Sequence, residues 1–119
     1  MKLRGVSFLF VAMLSVLFVL SCSKSSTSPN ETVTSCDGVD KTFAANVNPL
    51  IQSFCNQAGC HNTGSINGPG PLTNYTQVFN ARSDIRAAVK SGLMPQNTTL
   101  SASQKNTIIC WIDSGAPNN

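Results

Sequence analysis

Charged side chains are scarce in this sequence. Asp, Glu, Lys and Arg together make up 11% of its 119 residues, too few for the long acidic or basic tail of a highly charged disordered chain. Histidine occurs once, as His61, so no Ser-His-Asp set can be built without it. Asp84 and Asp113 are isolated in the chain and form no paired-carboxylate acid/base site. Strand signatures are missing too: no run alternates apolar with polar residues, and no hairpin turn joins two such runs. An all-α domain of three to four helices with long connections is the expectation that remains.

Only one long hydrophobic run is present, Val6 to Leu20, preceded by Lys2 and Arg4. A basic start and an apolar stretch too short to favour a stable membrane span have the pattern of an export signal. The run ends in Val19-Leu20-Ser21-Cys22, which resembles the bacterial lipobox, although Leu20 is not the favoured type at its position. That resemblance implies a lipoprotein signal peptide over residues 1–21, with Cys22 acylated as the mature N-terminus. The expected location follows: an exported bacterial lipoprotein facing the periplasm and anchored to a membrane through its lipid. Ser23 is compatible with sorting to the outer membrane. An ordinary signal peptide cut nearby, with Cys22 incidental, is the plainer alternative.

Loss of the leader removes Lys2 and Arg4 and brings eight basic residues to six, against five acidic ones. No basic surface of the kind that binds nucleic acid survives, and nucleic acid is excluded as a partner. Residues 22–35 are rich in Ser and Thr and hold no large apolar side chain beyond Val33. They bury too little to offset the entropy of ordering and read as a flexible tether. The folded unit is then 36–119, near the size at which a plain hydrophobic core is marginal.

Val47, Leu50, Ile51 and Phe54 follow the i, i+3, i+4, i+7 spacing of one helix face. Pro49 lies inside that pattern. Either the helix starts there with Asn48 as cap, or an earlier turn from Thr42 is kinked. Asn56 to Leu72 is a long loop rich in Gly and Pro, of a length seldom found in a small domain without a purpose. Tyr75 to Val89 reads as helix, capped by Asn74, with a possible restart at Ser83 and a stop at Gly92. Ser101 and Gln104 form a capping box ahead of Ile108, Ile109, Trp111 and Ile112, and Gly115 and Pro117 end that last helix.

The loop opens with Cys55-Asn56-Gln57-Ala58-Gly59-Cys60-His61. Covalent haem attachment needs two cysteines to add across the vinyl groups and a histidine beside the second to reach the iron. The usual spacing is C-x-x-C-H, and this chain has two residues more, which can bulge at Gly59. Gly92-Leu93-Met94-Pro95 offers a second axial ligand, the Met94 thioether, on a loop stiffened by Pro95. The plain reading of Met94 is a core methionine.

With these motifs in order, the segment from about Phe43 to Asn119 resembles a small class I cytochrome c domain of the lipoprotein type found in Bacteroidetes. The closing segment Ile108-Ile109-Cys110-Trp111-Ile112-Asp113-Ser114-Gly115-Ala116 belongs to the same pattern. The resemblance implies a covalent haem c on Cys55 and Cys60, with His61 and Met94 as axial ligands of its iron. It also implies that the helix ending near Phe54 and the helix holding Trp111 cross, with the haem supplying core that the domain lacks. The function it implies is electron transfer between redox proteins outside the cytoplasm, with no substrate turned over. A haem peroxidase or sensor role opens only if Met94 is not a ligand.

Once Cys22 and the haem cysteines are assigned, Cys36 and Cys110 are left, and a disulfide between them is expected in an exported compartment. Tyr75 and one of Arg82, Arg86 and Lys90 are candidate partners for the acidic groups of a haem, their plain roles being packing and a solvated helix face. Two readings of other classes compete. One is a copper-binding or thiol redox lipoprotein using Cys55, Cys60, His61 and Met94. The other is a structural lipoprotein domain held by disulfides without a cofactor.

Overall fold

A computed structural model describes residues 35–119. The expected signal peptide over 1–21, the acylation site Cys22 and the tether up to residue 34 lie outside the described residues. Among those described there is no strand, and no helix is long and apolar enough to cross a membrane.

The chain enters through a π-helical segment, Phe43–Val47, that runs directly into α1, Asn48–Phe54. Pro49 falls in the first turn of α1, but Asn48 is not its cap: the winding that starts after Thr42 continues into it. The proline ring would meet the carbonyl four residues earlier in a regular α-helix, and the wider winding lies just upstream of it. Thr42 is extended, and both its N–H and its hydroxyl donate to Asn46 Oδ1, at 3.0 and 2.7 Å. The N–H groups of Phe43 and Ala44 are satisfied by the last residue: they donate to Asn119 Oδ1 and to its carbonyl, each at 2.8 Å.

The expected second helix is divided. α2 spans Tyr75–Asn80 and α3 spans Arg82–Ser91, with the break at Ala81. Asn74 caps α2 by accepting from the Gln77 N–H at 3.1 Å, and Gln77 Oε1 accepts in return from the N–H and hydroxyl of Thr73. Gly92 ends α3 in the left-handed region, at φ 75°. The closing helix, α4, spans Ala102–Asp113. Its capping box is complete: Ser101 Oγ accepts from the Gln104 N–H at 3.2 Å, and Gln104 Oε1 accepts from the Ser101 N–H at 2.8 Å. Ser101→Ala is expected to lower stability by about 1 kcal/mol, measured by denaturant titration, because it leaves that N–H uncapped.

The core is centred where the π-helical segment packs on α4. Trp111 is fully buried, its ring centroid 5.4 Å from that of Phe43, which in turn stacks edge-on to Tyr75 at 5.0 Å. Val47, Ile51, Val78, Val89, Ile108 and Ile109 complete it. The chain after α4 folds back over this cluster: Trp111 Nε1 donates to the Pro117 carbonyl and the Tyr75 hydroxyl to the Ala116 carbonyl, both at 2.9 Å. Four consecutive residues of α4, Ile108 to Trp111, are buried, since α3, the π-helical segment and this returning chain surround it.

The expected disulfide is present. Cys36 and Cys110 are bonded across a sequence separation of 74, with Cα atoms 5.5 Å apart. It fastens the start of the domain to the middle of α4. Asp113, isolated in the sequence, is paired in space: Arg86 Nε and Nη2 donate to its two oxygens at 2.6 and 2.9 Å, linking α3 to α4. That hydrogen bonding holds the Asp113 carboxyl below its ordinary range. The pair is exposed, so its contribution to stability is small.

Candidate functional site

The loop that carries Cys60 and His61 leaves α1 at Cys55, whose N–H still donates to the Ile51 carbonyl at 2.9 Å. The loop then turns back on itself, with the Cys60 N–H on the Gln57 carbonyl at 2.9 Å and the His61 N–H on the Cys55 carbonyl at 3.1 Å. The turn needs Gly59 at φ 78°, a conformation that side chains with a Cβ adopt at a cost. Apart from its chain neighbours, no atom lies within 4 Å of where a Cβ would sit at Gly59, and Gly59 and Gln57 border the cavity described below. Asn67 secures the far side by donating from Nδ2 to the carbonyls of Gly59 and Cys60, at 2.9 and 3.1 Å.

His61 is buried. Its Nδ1 lies 2.9 Å from the Gly70 carbonyl, which can only accept, so Nδ1 carries the proton and Nε2 presents a lone pair. Among the described residues Nε2 has no hydrogen-bond partner. Gly70 escaped the sequence reading, yet it fixes the histidine tautomer from a backbone at φ 91°. The signal was available in the Gly68-Pro69-Gly70-Pro71 run, a rigid alternation in which glycine supplies the left-handed residue.

Cys55, Cys60, His61 and Met94 all line one cavity of about 660 Å³, closed on its other side by Pro95, Gln96, Asn97 and Thr98. A second cavity of about 480 Å³ adjoins it, sharing Cys55, Gly68 and Met94 and lined with the aliphatic side chains of Leu72, Ile85, Val89 and Leu93. The Met94 N–H donates to the Ala88 carbonyl at 3.3 Å, which ties this segment to the end of α3. Residues some 30 positions apart are thus brought to one place. Among the described residues, no three His, Cys, Asp or Glu side chains converge closely enough to hold a metal ion. Cys55, Cys60 and His61 instead border a volume.

The two thiols are unbonded. Burial, and secondarily the charge of Cys60, raise the Cys55 thiol from 9.0 to about 11. A thiol of that kind is protonated near neutral pH and is a poor redox nucleophile. About 100-fold less thiolate than at the ordinary value, partly offset by greater intrinsic nucleophilicity, leaves a net deficit of about 10-fold. Iodoacetamide should therefore alkylate Cys55 about 10-fold more slowly than free cysteine at neutral pH. The rate should climb until pH passes about 11, read by peptide mass spectrometry. The sign for stability is the same: a raised thiol favours the fold below pH 9, and that contribution is lost between 9.0 and about 11.

Tyr75, Arg82, Arg86 and Lys90 do not line either cavity. The Tyr75 hydroxyl is taken by Ala116, and Arg82 lies over the Phe79 ring, 4.0 Å from its centroid, and donates to the Phe79 carbonyl at 2.7 Å. The cavity volumes fall within the roughly 300–1,000 Å³ range of sites for prosthetic groups and other small ligands. The donors fit a haem in kind: two thiols, one imidazole with its Nε2 open and one thioether, next to an aliphatic wall. No family model, curated protein or solved structure matches the chain.

Proposed function

We infer that this domain is a monohaem c-type cytochrome that carries single electrons. The observation that carries the reading is that Cys55, Cys60, His61 and Met94 border one cavity while His61 Nδ1 is already committed to Gly70. The bound haem c supplies the one-electron couple of its iron. Everything else falls to the protein. Cys55 and Cys60 provide the thiols for two thioether links, and burial keeps Cys55 out of competing thiolate chemistry until attachment. Gly70 orients His61 so that Nε2 is its free donor. The end of α3 holds Met94, whose neutral sulfur favours the ferrous state. Ile85, Val89 and Leu72 exclude water from the adjoining space.

The other readings have less behind them. A copper site needs ligands gathered on a point, and Cys55, Cys60 and His61 are not so gathered. A thiol redox role is opposed by the raised Cys55 thiol. A purely structural domain leaves the cavity and the buried histidine without a use. Lipid anchoring through Cys22 and placement facing the periplasm are parts of the same proposal, resting on the lipobox-like segment, as is a redox protein as partner.

Expression of the full chain in a host with a haem-attachment system tests the reading. The expected product is coloured, keeps its haem after acid-acetone extraction, and has the mass of one haem above the processed chain. A colourless product of apo mass overturns it.

A further inference from the structure

The charge that this chain does carry avoids one side of the domain. No Asp, Glu, Lys or Arg occurs from Thr42 to Ala81 or from Ser91 to Gln104, and these two segments supply every residue lining the first cavity. The rim consists of neutral amides and hydroxyls: Ser53, Gln57, Asn67, Gln96, Asn97 and Thr98. Of the described acidic and basic residues only Asp84 reaches the adjoining cavity. Three cations are engaged elsewhere, Lys41 on the Cys36 and Val39 carbonyls, Arg82 on Phe79 and Arg86 on Asp113.

A second observation falls on the same segments. The exposed large hydrophobic residues of the described chain are Ile66, 97% exposed, and Leu93, 64% exposed. Each adjoins a residue that lines the cavities, Ile66 next to Asn67 and Leu93 next to Met94. Single exposed hydrophobics are ordinary. Here both adjoin residues that line the first cavity, whose rim offers no charge to compete for water.

We propose that this uncharged rim, with Ile66 and Leu93, is the surface through which electrons pass, and that it fits a redox protein whose own docking face is neutral and partly apolar. The proposal rests on the electron-transfer reading above. A charged partner face would lose its hydration here and find no opposite charge in return. A neutral one associates by apolar burial and amide hydrogen bonds, without long-range steering and with little dependence on salt.

Electron self-exchange of the holoprotein tests this with a second copy of the chain as the probe. In a mixed sample one ferrous molecule is oxidised as one ferric molecule is reduced, and NMR line broadening gives the rate. The wild-type rate is expected to stay within about twofold between low and high salt. An Ile66→Glu/Leu93→Glu variant should exchange about 10-fold more slowly at low salt and recover at high salt, since the colliding faces now repel. Mixed with an Ile66→Lys/Leu93→Lys variant it should exceed the wild-type rate at low salt. The low-spin absorption spectrum should be retained in both, which shows that the proposed His61 and Met94 ligation is intact. Wild-type exchange in the Glu variant would show that electrons leave by another face and overturn the proposal. So would a stable wild-type dimer in sedimentation that the Glu variant dissolves, because the rim would then be a self-interface. A colourless chain overturns the electron-transfer reading itself, and is recognised by absorption before any rate is measured.

Discussion

On the proposed cytochrome reading, Met94→Ala should abolish the low-spin His/Met absorption spectrum of the holoprotein. It should also lower the reduction potential by on the order of 100 mV or more, within the roughly 0.8 V that axial ligation spans. A thioether is neutral and soft, and its removal takes away the preference for ferrous iron that it confers. Met94 is suited to the part by its position. It lines both cavities, Gly92 turns the chain just before it, and its N–H is tied to the Ala88 carbonyl at 3.3 Å. Met94→Leu separates ligation from packing, since it conserves volume and removes only the sulfur. Both variants should show the same spectral change, with Met94→Leu the more stable of the two. An open iron position would also admit peroxide, so a gain of peroxidase activity in the variants is a further expected readout. An unchanged spectrum and potential in both would assign the second axial position to another residue.

Removing the disulfide should have the largest effect on stability. A cross-link between residues 74 apart restricts the unfolded chain by about 4 kcal/mol on the chain-entropy account. For a domain of this size that corresponds to a Tm lower by roughly 15 °C or more. Cys36→Ala/Cys110→Ala is the variant to melt, followed by far-ultraviolet circular dichroism. Cys110 is fully buried in α4, so the variant also loses a sulfur from a packed site. Wild-type protein melted in reductant supplies the comparison that leaves packing intact, because the proposed thioether links would resist thiol reductants. If both lose less than about 1 kcal/mol, the loop is already restrained in the unfolded state.

Much of the secondary structure was legible locally. The Asn74 cap, the Ser101–Gln104 box, the break before Ser83 and the stop at Gly92 are decided by side chains bonding to backbone within a few residues, so short-range reasoning reaches them. The passage through Pro49 was not legible, because two local solutions were open. Contacts with Asn119, 76 residues from Phe43, accompany the one adopted, and no window of sequence contains them. The arginine partner of Asp113 was out of reach for the same reason: Arg86 lies 27 residues away in the chain.

The candidate site divides along the same line. Cys55, Cys60, His61 and Met94 could be put forward as a set from residue type and spacing alone. The cysteine count likewise pointed to Cys36 and Cys110. Only the tertiary structure brought Met94 to the cavity of the other three, gave His61 Nδ1 to Gly70 and so left Nε2 open. It also took Tyr75 away from the site by handing its hydroxyl to Ala116. Ligand identity is a property of side-chain chemistry, which is written residue by residue. Tautomer, burial and the distribution of charge around an opening depend on groups far apart in the chain, and these exist only once folding has placed them together.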